Sequence, residues 1–376
     1  MAVRALARVN LAAIERNVIA LRARLAPGTQ LCAVVKAEAS GHGAVPVARA
    51  ALAGGATRLA VATAGEAAQL RDAGLTAPLL ILGAISREEL PVALSARAEL
   101  VAWNERFVDD IVAGARDGAI PVGVHVKLDT GMGRLGTREV SEALAVAELV
   151  LARGPVVTLA GAMTHLATAD GDADFMAEQL TLFAPFTARL REHVPGLLRH
   201  AANSAATLRE PASHFDMVRC GIAVYGCDPM NEDPAPHGLE PALELRSYVA
   251  ALKPIRPGQS AGYGRRFIAE RETCIATLPI GYADGVRRAL TNDCDVLIGG
   301  RRYPLVGTVS MDNVTVDVGP APAMEVGAAA IIIGRCGAER QTVEDVARRA
   351  QTINHEILCG ISGRVPREYH RDGEPA

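Results

Sequence analysis

Short apolar runs alternate with alanine-rich helical stretches through the first 226 residues. Strands that alternate with helices predict βαβ units and a parallel sheet. The runs lie at residues 31–37, 58–63, 78–83, 100–104, 122–129, 159–167, 200–204 and 217–226. Eight such units predict a closed (β/α)₈ barrel of the TIM type, an α/β fold. The run HAANS, residues 200–204, is the weakest strand candidate because it is short and low in β propensity.

The pattern changes after about residue 230, where DPMNEDPAPHGLEP forms a proline-rich linker. The apolar runs beyond it are short, have little helical periodicity and are separated by turns, which indicates strands. One helix is predicted at residues 342–352, with Thr342 and Asp345 as a capping box. We therefore predict a barrel domain at residues 8–232 and a mostly β C-terminal domain at 240–376.

Composition narrows the classes of function. The 376 residues are 49% hydrophobic, and their net charge of −3 comes from intermixed acids and bases, which favours neither nucleic acid nor a membrane surface as partner. No apolar run approaches the roughly 20 residues that span a bilayer, and MAVRALARVN lacks the apolar stretch of a secretory signal. Seven scattered cysteines without a C-x-x-C pair argue against a disulfide framework or zinc cluster. We expect a reduced, cytoplasmic protein without a metal.

Lysine is scarce in this chain. Of the 39 basic residues only Lys36, Lys127 and Lys253 are lysines. Lys36 ends the first apolar run, in VVKAEASGHG. Unlike arginine, lysine can lose its proton, form a Schiff base or act as a base. Lys36 is therefore a candidate catalytic residue, and a strand-end cation that reaches solvent is the alternative.

Other polar residues also follow the predicted barrel strands, where barrel enzymes carry their chemistry. They are Lys127 and Asp129 on the fifth strand, Arg134 beyond it, His165 after the sixth, Asn203 and Ser204 after the seventh, and Arg219 in the eighth. The small residues of NSA and CGIA suit a phosphate, because backbone N–H groups can approach an anion there. A core histidine and an ordinary turn are the alternatives for His165 and for Asn203–Ser204.

A phosphate site opposite a strand-end lysine indicates pyridoxal 5′-phosphate, which is held by a lysine and contacts a protein group through its ring nitrogen. Arg219 is the candidate for that group. A permanent cation keeps the ring nitrogen unprotonated and weakens the electron sink. This favours one reversible proton transfer over reactions that need a long-lived carbanion.

Long stretches of the chain resemble the alanine racemases, in order and over nearly the whole length. They include AVVKAEASGHG, HVKLDTGMGRLG, MTHLATAD, HAANSA, FDMVRCGIAVYG, SAGYGRRF, PIGYADGVRR, VGTVSMDNVTVDV and TINHEILCGISGRVPREY. HVKLDTGMGRLG and GYADG are the most specific. The resemblance implies a cytoplasmic isomerase that interconverts L- and D-alanine with pyridoxal phosphate. It implies D-alanine biosynthesis for peptidoglycan precursors, with a catabolic role as the alternative.

The resemblance also implies two catalytic bases. Lys36 carries the cofactor and serves one face of the substrate, and Tyr263 serves the opposite face. A free tyrosine titrates near about 10, so its proton needs a relay or a cationic neighbour. In the family, His165 and Arg219 form that network. Without the resemblance, Tyr263 would be read as a strand aromatic.

Further roles follow from the resemblance. Arg134 lies near the substrate carboxylate, and Lys127 is carbamylated in many relatives and holds Arg134. A surface pair of Lys127 with Asp129 is the alternative. The remaining substrate-binding residues are Met311, Asp312 and Tyr282. The phosphate contacts are Asn203, Ser204, Gly221 and Ile222, with His355 close by. Family members are head-to-tail homodimers in which Tyr263, Tyr282 and Met311 enter the partner's barrel.

Four positions depart from the family pattern. Glu38 stands where Asn or Asp is usual, and Ser40 replaces a phosphate-binding tyrosine. His355 replaces a second aromatic residue near the inner entrance, and Thr308 replaces an arginine of the outer entrance. A racemase of serine or of larger amino acids is therefore one alternative function. A fold-related decarboxylase and a non-catalytic barrel protein of cofactor homeostasis are others, and Tyr263 with residues 240–376 argues against the latter.

Overall fold

The computed structural model describes residues 3–115 and 120–376, and the chain divides into two compact units. The barrel unit comprises Glu15–Ala39 and Ala44–Val224. The β unit comprises the described residues up to Ile14, with Ser40–Gly43 and Tyr225–Ala376.

Eight parallel strands form the sheet of the barrel unit, as the alternating pattern predicts. They are β2 (Gln30–Val34), β3 (Arg58–Val61), β4 (Leu79–Ile81), β5 (Glu99–Ala102), β6 (Val122–Lys127), β7 (Val157–Met163), β8 (Leu198–His200) and β9 (Met217–Cys220). From β2 to β8, consecutive strands pair, and β9 returns to β2. Backbone hydrogen bonds from Asp216 N to Arg199 O (3.1 Å) and from Arg219 N to Ala202 O (3.0 Å) nearly close the barrel.

Helices separate the barrel strands. They are α1 (Leu11–Arg22), α2 (Lys36–Gly41), α3 (Ala44–Ala53), α4 (Ala64–Asp72), α5 (Leu90–Ser95), α6 (Glu105–Ala115), α7 (Val140–Ala152), α8 (Ala173–His193) and α9 (Ser204–Arg209). Thr63 and Glu66 form a capping box at the start of α4. Such caps satisfy N–H groups that the first helical turn leaves without partners.

The barrel core is built mainly from small and medium-sized apolar side chains, in keeping with an aromatic content of 3%. One buried cluster draws on six strands, through Cys32, Val34, Ala60, Leu80, Val101, Met163 and Met217. His125 and His200 are fully buried polar exceptions. Buried polar groups need hydrogen-bond partners, so these two histidines point to a polar path inside the barrel.

The β unit is mostly β, as predicted. Its main sheet contains β1 (Leu6–Asn10), β10 (Leu243–Tyr248), β11 (Ala251–Ile255), β14 (Thr273–Leu278), β15 (Asp295–Ile298), β16 (Arg301–Val306), β17 (Val314–Asp317), β18 (Ala329–Cys336), β19 (Glu339–Gln341), β20 (Arg367–Arg371) and β21 (Glu374–Pro375). A separate ribbon pairs β12 (Ser260–Ala261) with β13 (Phe267–Ile268). The helices are α10 (Val343–Arg349) and α11 (Asn354–Cys359), and the predicted capping box of Thr342 and Asp345 is confirmed.

The first strand belongs to this unit. Strand β1 pairs antiparallel with β10 and parallel with β20. Its buried residues, Ala7 and Val9, alternate with partly exposed ones, which suits a sheet with one covered face better than a barrel strand. The predicted barrel domain, residues 8–232, differs from the structural division here, at Ser40–Gly43 and at residues 225–232, all of which belong to the β unit. Within the described residues, no helix is long and apolar enough to span a bilayer.

Candidate active site

The carboxyl ends of the barrel strands bring the predicted site residues into one region. Lys36 directly follows β2, Lys127 ends β6, His165 lies just beyond β7, and Arg219 is in β9. The pKa of His165 lies well below its ordinary value because of burial and then because of the charges of four basic residues, Arg219, Arg134, Lys127 and Lys36. His165 is therefore neutral near pH 7, inside a cluster of cations.

A left-handed helical turn follows Lys36. Four successive residues have φ between 50° and 52°, namely Ala37, Glu38, Ala39 and Ser40. For L-residues this conformation costs roughly 1–2 kcal/mol each. The turn therefore depends on stabilising contacts from neighbouring segments.

Two glutamates supply such contacts. Glu66 accepts a hydrogen bond from the backbone N–H of Ala37 (2.6 Å). Glu38 accepts from the N–H of Ala44 (3.0 Å) and from Gln69 Nε2 (2.7 Å). Glu38, one of the departures from the family pattern, thus bonds to the segments beside the turn.

Arg219 is buried, and its two terminal nitrogens are saturated with acceptors. Nη1 donates to His200 Nδ1 (2.9 Å) and to His200 O (2.8 Å). Nη2 donates to Thr164 O (2.9 Å) and Ala201 O (3.0 Å), and lies 3.3 Å from His165 Nδ1. No described residue accepts from the Nε–H. Burial lowers the pKa of Arg219 to about 10, so the guanidinium remains charged near neutral pH.

The guanidinium of Arg219 favours one tautomer in the histidines around it. A guanidinium only donates hydrogen bonds, so an accepting Nδ1 is the favourable state of His165 and His200, with the proton of each neutral ring on Nε2. His200 Nε2 lies 2.8 Å from His125 Nδ1, and His125 Nε2 lies 3.0 Å from Glu99 Oε2. One hydrogen-bonded chain therefore runs from Arg219 to Glu99.

Sequence reasoning missed Glu99, His125 and His200 as site residues. One usable signal was present, because His125 stands two residues before Lys127 and so shares its face of β6. The pairing of His125 with His200 joins residues 75 positions apart. Nothing in the local pattern of either segment indicates that contact.

Lys127 is buried, with 3% of its surface exposed. Its pKa falls to about 8 because of burial and then the charges of Arg219 and Arg134, which outweigh the opposing charge of Asp129. A substantial fraction of its amine is therefore neutral at slightly alkaline pH.

Asp129 shapes the turn that follows β6. Its carboxylate accepts from the N–H groups of Gly131 (3.1 Å) and Gly133 (3.0 Å). A surface ion pair between Lys127 and Asp129 is not found among the described residues, and both side chains are buried. Arg134, just beyond the turn, is exposed and hydrogen-bonds to none of the described residues.

The predicted phosphate contacts lie at the ends of β8 and β9. Ser204 Oγ accepts from the backbone N–H of Gly221 (3.1 Å), which leaves the hydroxyl proton as a donor. Asn203 Oδ1 accepts from Ala206 N (3.0 Å) and so caps α9. Ile222 is buried. The two strand ends are thus joined through a hydroxyl and an N–H group.

Tyr263 lies in the β unit, in the turn between β12 and β13, with 75% of its surface exposed. Gly262 and Gly264 flank it with φ of 76° and 70°. Thr308 Oγ1 donates to the Tyr263 carbonyl oxygen at 2.7 Å. A Cβ on Gly262 would lie 3.0 Å from Thr308 N, so glycine permits both the turn and the close approach of Thr308.

Tyr282 and Met311 lie on two loops of the β unit that pack closely. Tyr282 N donates to Ser310 O (3.0 Å), and Ala283 N donates to Met311 O (3.1 Å). A Cβ on Gly281 would lie 2.3 Å from Ser310 O, so the loops need glycine there. The side chains of Tyr282 and Met311 are 43% and 52% exposed.

Ion pairs hold these loops. Arg4 lies 3.0 Å from Asp284 Oδ2 and donates to Asp312 O (2.9 Å). Arg364 donates to Asp312 Oδ1 (2.8 Å), and the hydrogen bond from Arg364 lowers the pKa of Asp312. The carboxylate of Asp312, a predicted substrate-binding residue, is therefore already paired within the chain.

Besides Thr308, two more departures from the family pattern, Ser40 and His355, lie in the β unit. Ser40 is half-buried at the end of the left-handed turn, and His355 is exposed on α11. The preceding residue, Asn354, anchors α11 by donating to Asp228 O (2.7 Å) and Glu344 Oε1 (3.1 Å). His355 therefore stands on a well-anchored helix with its side chain accessible.

Comparison with known proteins identifies the family. Residues 9–229 match the model of the alanine racemase N-terminal domain, and residues 242–369 match that of the C-terminal domain. The alanine racemase of Geobacillus stearothermophilus is 42% identical over 369 residues, which cover 97% of this chain and 93% of that protein. That of a Nostoc species is 40% identical over 378 residues, covering 97% and 95%.

Solved structures agree with the sequence comparison. The alanine racemase of Streptomyces lavendulae superposes with a TM-score of 0.93 and 38% identity, covering 98% of each chain. The Bacillus anthracis alanine racemase, solved with bound L-Ala-P, gives a TM-score of 0.90 and 38% identity, covering 100% of this chain and 97% of that one. The chain therefore belongs to the alanine racemase family and is an amino-acid racemase.

Proposed function

We propose that this racemase interconverts L- and D-alanine with pyridoxal 5′-phosphate held covalently by Lys36. One observation carries the proposal. A strand-end lysine, the Ser204 hydroxyl and a buried arginine, whose Nε–H has no acceptor among the described residues, lie at the carboxyl ends of the barrel strands. The relatives named alanine racemase support alanine as the substrate.

The donors in this region fit the cofactor. The Lys36 amine suits the aldehyde carbon, the Nε–H of Arg219 suits the ring nitrogen, and Ser204 with the neighbouring Asn203, Gly221 and Ile222 suits the phosphate. When bound, the cofactor supplies the electron sink that makes the α-proton of an amino acid removable. Since the guanidinium only donates, Arg219 would keep the ring nitrogen of a bound cofactor unprotonated, which would favour reversible proton transfer.

Two bases on opposite faces account for inversion. Lys36 Nζ removes or returns the α-proton on one face, and Tyr263 Oη does so on the other. The phenol of a free tyrosine titrates near about 10, so it needs a donor or cation nearby. The Nε2–H of His165 is available as that donor, because its Nδ1 faces Arg219.

Further residues orient the substrate. Arg134, which has no hydrogen-bond partner among the described residues, binds the substrate carboxylate together with the backbone N–H of Met311. A carbamate on Lys127 would accept from Arg134 and hold it, and the buried amine with a pKa of about 8 supports that reaction with carbon dioxide. Asp312 holds the Met311 loop through Arg364, and Tyr282 borders the substrate.

The active form is a homodimer whose sites are shared between chains. Tyr263, Tyr282 and Met311 are large side chains exposed on the β unit, and exposed apolar groups mark interaction surfaces. Their entry into the barrel mouth of a second copy would complete each site. All seven cysteines are free, which supports the cytoplasm as the compartment.

Serine is a second candidate substrate. A histidine at position 355 and a serine at position 40 replace two tyrosines of the family pattern. The smaller Ser40 leaves volume, and His355 adds a titratable donor. Both changes suit a side chain more polar than a methyl group.

Chiral chromatography of L-amino acids incubated with purified protein and pyridoxal phosphate tests the function. We expect D-alanine to form fastest, and borohydride reduction to trap the pyridoxyl group on Lys36. Lys253→Arg is the matched control, because it removes an unrelated lysine. Absence of racemisation of every amino acid, or labelling of Lys127 or Lys253 in place of Lys36, would contradict the proposal.

A further inference from the structure

The hydrogen bonds that link Arg219, His200, His125 and Glu99 can be donated in one direction only, from Arg219 towards Glu99. At one end Arg219 can only donate, and at the other end Glu99 accepts as a carboxylate. Burial raises the pKa of Glu99, but the hydrogen bond from His125 and the charge of Arg58 outweigh burial and lower it. Glu99 is therefore ionised, and Nε2–H of His200 and Nε2–H of His125 both point towards it.

The barrel sheet is shaped around this chain. A Cβ on Gly161 of β7 would lie 2.2 Å from His125 Nδ1, and a Cβ on Gly123 of β6 would lie 2.9 Å from Glu99 Cγ. The register between β6 and β7 also shifts between Val124 and His125, and such bulges redirect side chains. Two glycines and a bulge thus make room for the side chains of His125 and Glu99.

We propose that Glu99 and His125 are positioning residues, which hold His200 in its Nε2–H tautomer and thereby orient Arg219. The effect on turnover rests on the proposed racemase function, whereas the effect on the tautomer does not. If His200 carried its proton on Nδ1, two N–H donors would face each other at 2.9 Å. His125 prevents this by accepting from Nε2, and Glu99 fixes His125 in turn. Loss of the accepting Nδ1 would remove the one side-chain acceptor of Nη1 and shift the guanidinium against the three carbonyl oxygens that also hold it.

Two substitutions at His125 separate its two hydrogen bonds. Asn at 125 places an amide oxygen near the position of Nδ1, so it retains the acceptor for His200 but does not reach Glu99. Gln at 125 places its amide near Nε2, so it retains the contact with Glu99 but leaves His200 without an acceptor. We expect His125→Gln to lower kcat for alanine by about 10–100-fold, the scale on which outer partners of ligating histidines act, with little change in KM. His125→Asn should stay near the wild type.

The direct readout is the tautomer of His200 in the protein without cofactor. The chain contains nine histidines, and ¹⁵N NMR of histidine-labelled protein, assigned with His200→Gln, distinguishes Nε2–H from Nδ1–H. We expect Nε2–H in the wild type and in His125→Asn, and a mixture in His125→Gln. An Nδ1–H tautomer in the wild type, or identical spectra and kcat for the Asn and Gln variants, would overturn the proposal.

If the His125 variants do not fold, two less disruptive substitutions at Glu99 test the same proposal. The Glu99 side chain is 21% exposed and also forms an ion pair with Arg58, which both substitutions remove. Glu99→Gln keeps an acceptor for His125, whereas Glu99→Met removes it at similar length. We expect a mixed His200 tautomer and lower kcat in Glu99→Met alone. The same His200 tautomer in both Glu99 variants would count against the proposal, even if the protein had no racemase activity.

Discussion

The hydroxyl of Thr308 donates a hydrogen bond to the backbone carbonyl oxygen of Tyr263 at 2.7 Å. Thr308 occupies a position where the family resemblance leads us to expect an entrance arginine. Threonine adds no charge at this position. Its buried side chain instead braces the turn that carries the proposed second base.

Replacing Thr308 tests this bracing. Thr308→Val keeps the shape of the side chain but removes the hydroxyl, whereas Thr308→Ser keeps the hydroxyl. One hydrogen bond contributes about 0.5–1.5 kcal/mol, so we expect roughly 2- to 10-fold lower kcat for the valine variant and little change for serine. Steady-state racemisation in both directions measures it. An equal loss in both variants would show that packing, not the hydrogen bond, matters.

Tyr263→Phe removes the proposed base without a folding cost, because the side chain is 75% exposed in the single chain. We expect racemisation to fall on the order of 10²–10⁴-fold, as for loss of a general base, with cofactor absorbance and melting temperature retained. Exchange of the α-proton with deuterated solvent should persist for the enantiomer that Lys36 serves. Tyr303→Phe, on β16, is the control, and near-normal turnover of the Tyr263 variant would refute the role.

Carbamylation of Lys127 should increase as the pH rises. Only the neutral amine reacts with carbon dioxide, and burial lowers the pKa of Lys127 to about 8. The neutral fraction therefore falls from about one half at pH 8 to about 3% at pH 6.5. ¹³C NMR with labelled bicarbonate, at fixed dissolved carbon dioxide, should show a carbamate signal that weakens over this range.

The signal should vanish in Lys127→Arg. The chain has only two other lysines, Lys36 and Lys253, so assignment is direct. Retention of the full carbamate signal in Lys127→Arg would move the modification to another residue.

His355→Tyr should strengthen the preference for alanine over serine. His355 is exposed on the anchored helix α11, so we expect the substitution to leave the fold intact and to supply the aromatic ring that the family resemblance implies at this position. Discrimination by one small group is worth about 1–3 kcal/mol. We expect the ratio of kcat/KM for alanine over serine to rise by tens of fold at most, and further with Ser40→Tyr. An unchanged ratio in both single variants and in the double variant would mean that these positions do not determine the substrate.

The sequence predicts the barrel well because each βα unit carries a local signature, a short apolar run followed by an amphipathic stretch. It predicts Lys36, His165 and Arg219 as neighbours because strand ends meet at one mouth. Strand β1 is different: five residues cannot reveal that they pair with segments more than 230 positions away. The path through His125 and His200 escapes prediction for the same reason. The conformation of Ala37–Ser40 has no local signal, since these four residues include no glycine, asparagine or aspartate.

That left-handed turn restricts how the chain can change over evolution. Asn, Asp and Gly enter the left-handed region most readily, so a β-branched residue at positions 37–40 would oppose the geometry immediately beside Lys36. Glu38 is tolerated because its carboxylate has found Ala44 and Gln69 as partners. The residue at 69 is therefore coupled to the residue at 38: asparagine at 38 is too short to keep the contact with Gln69, and replacing Gln69 alone would leave Glu38 with fewer partners and destabilise the turn beside Lys36.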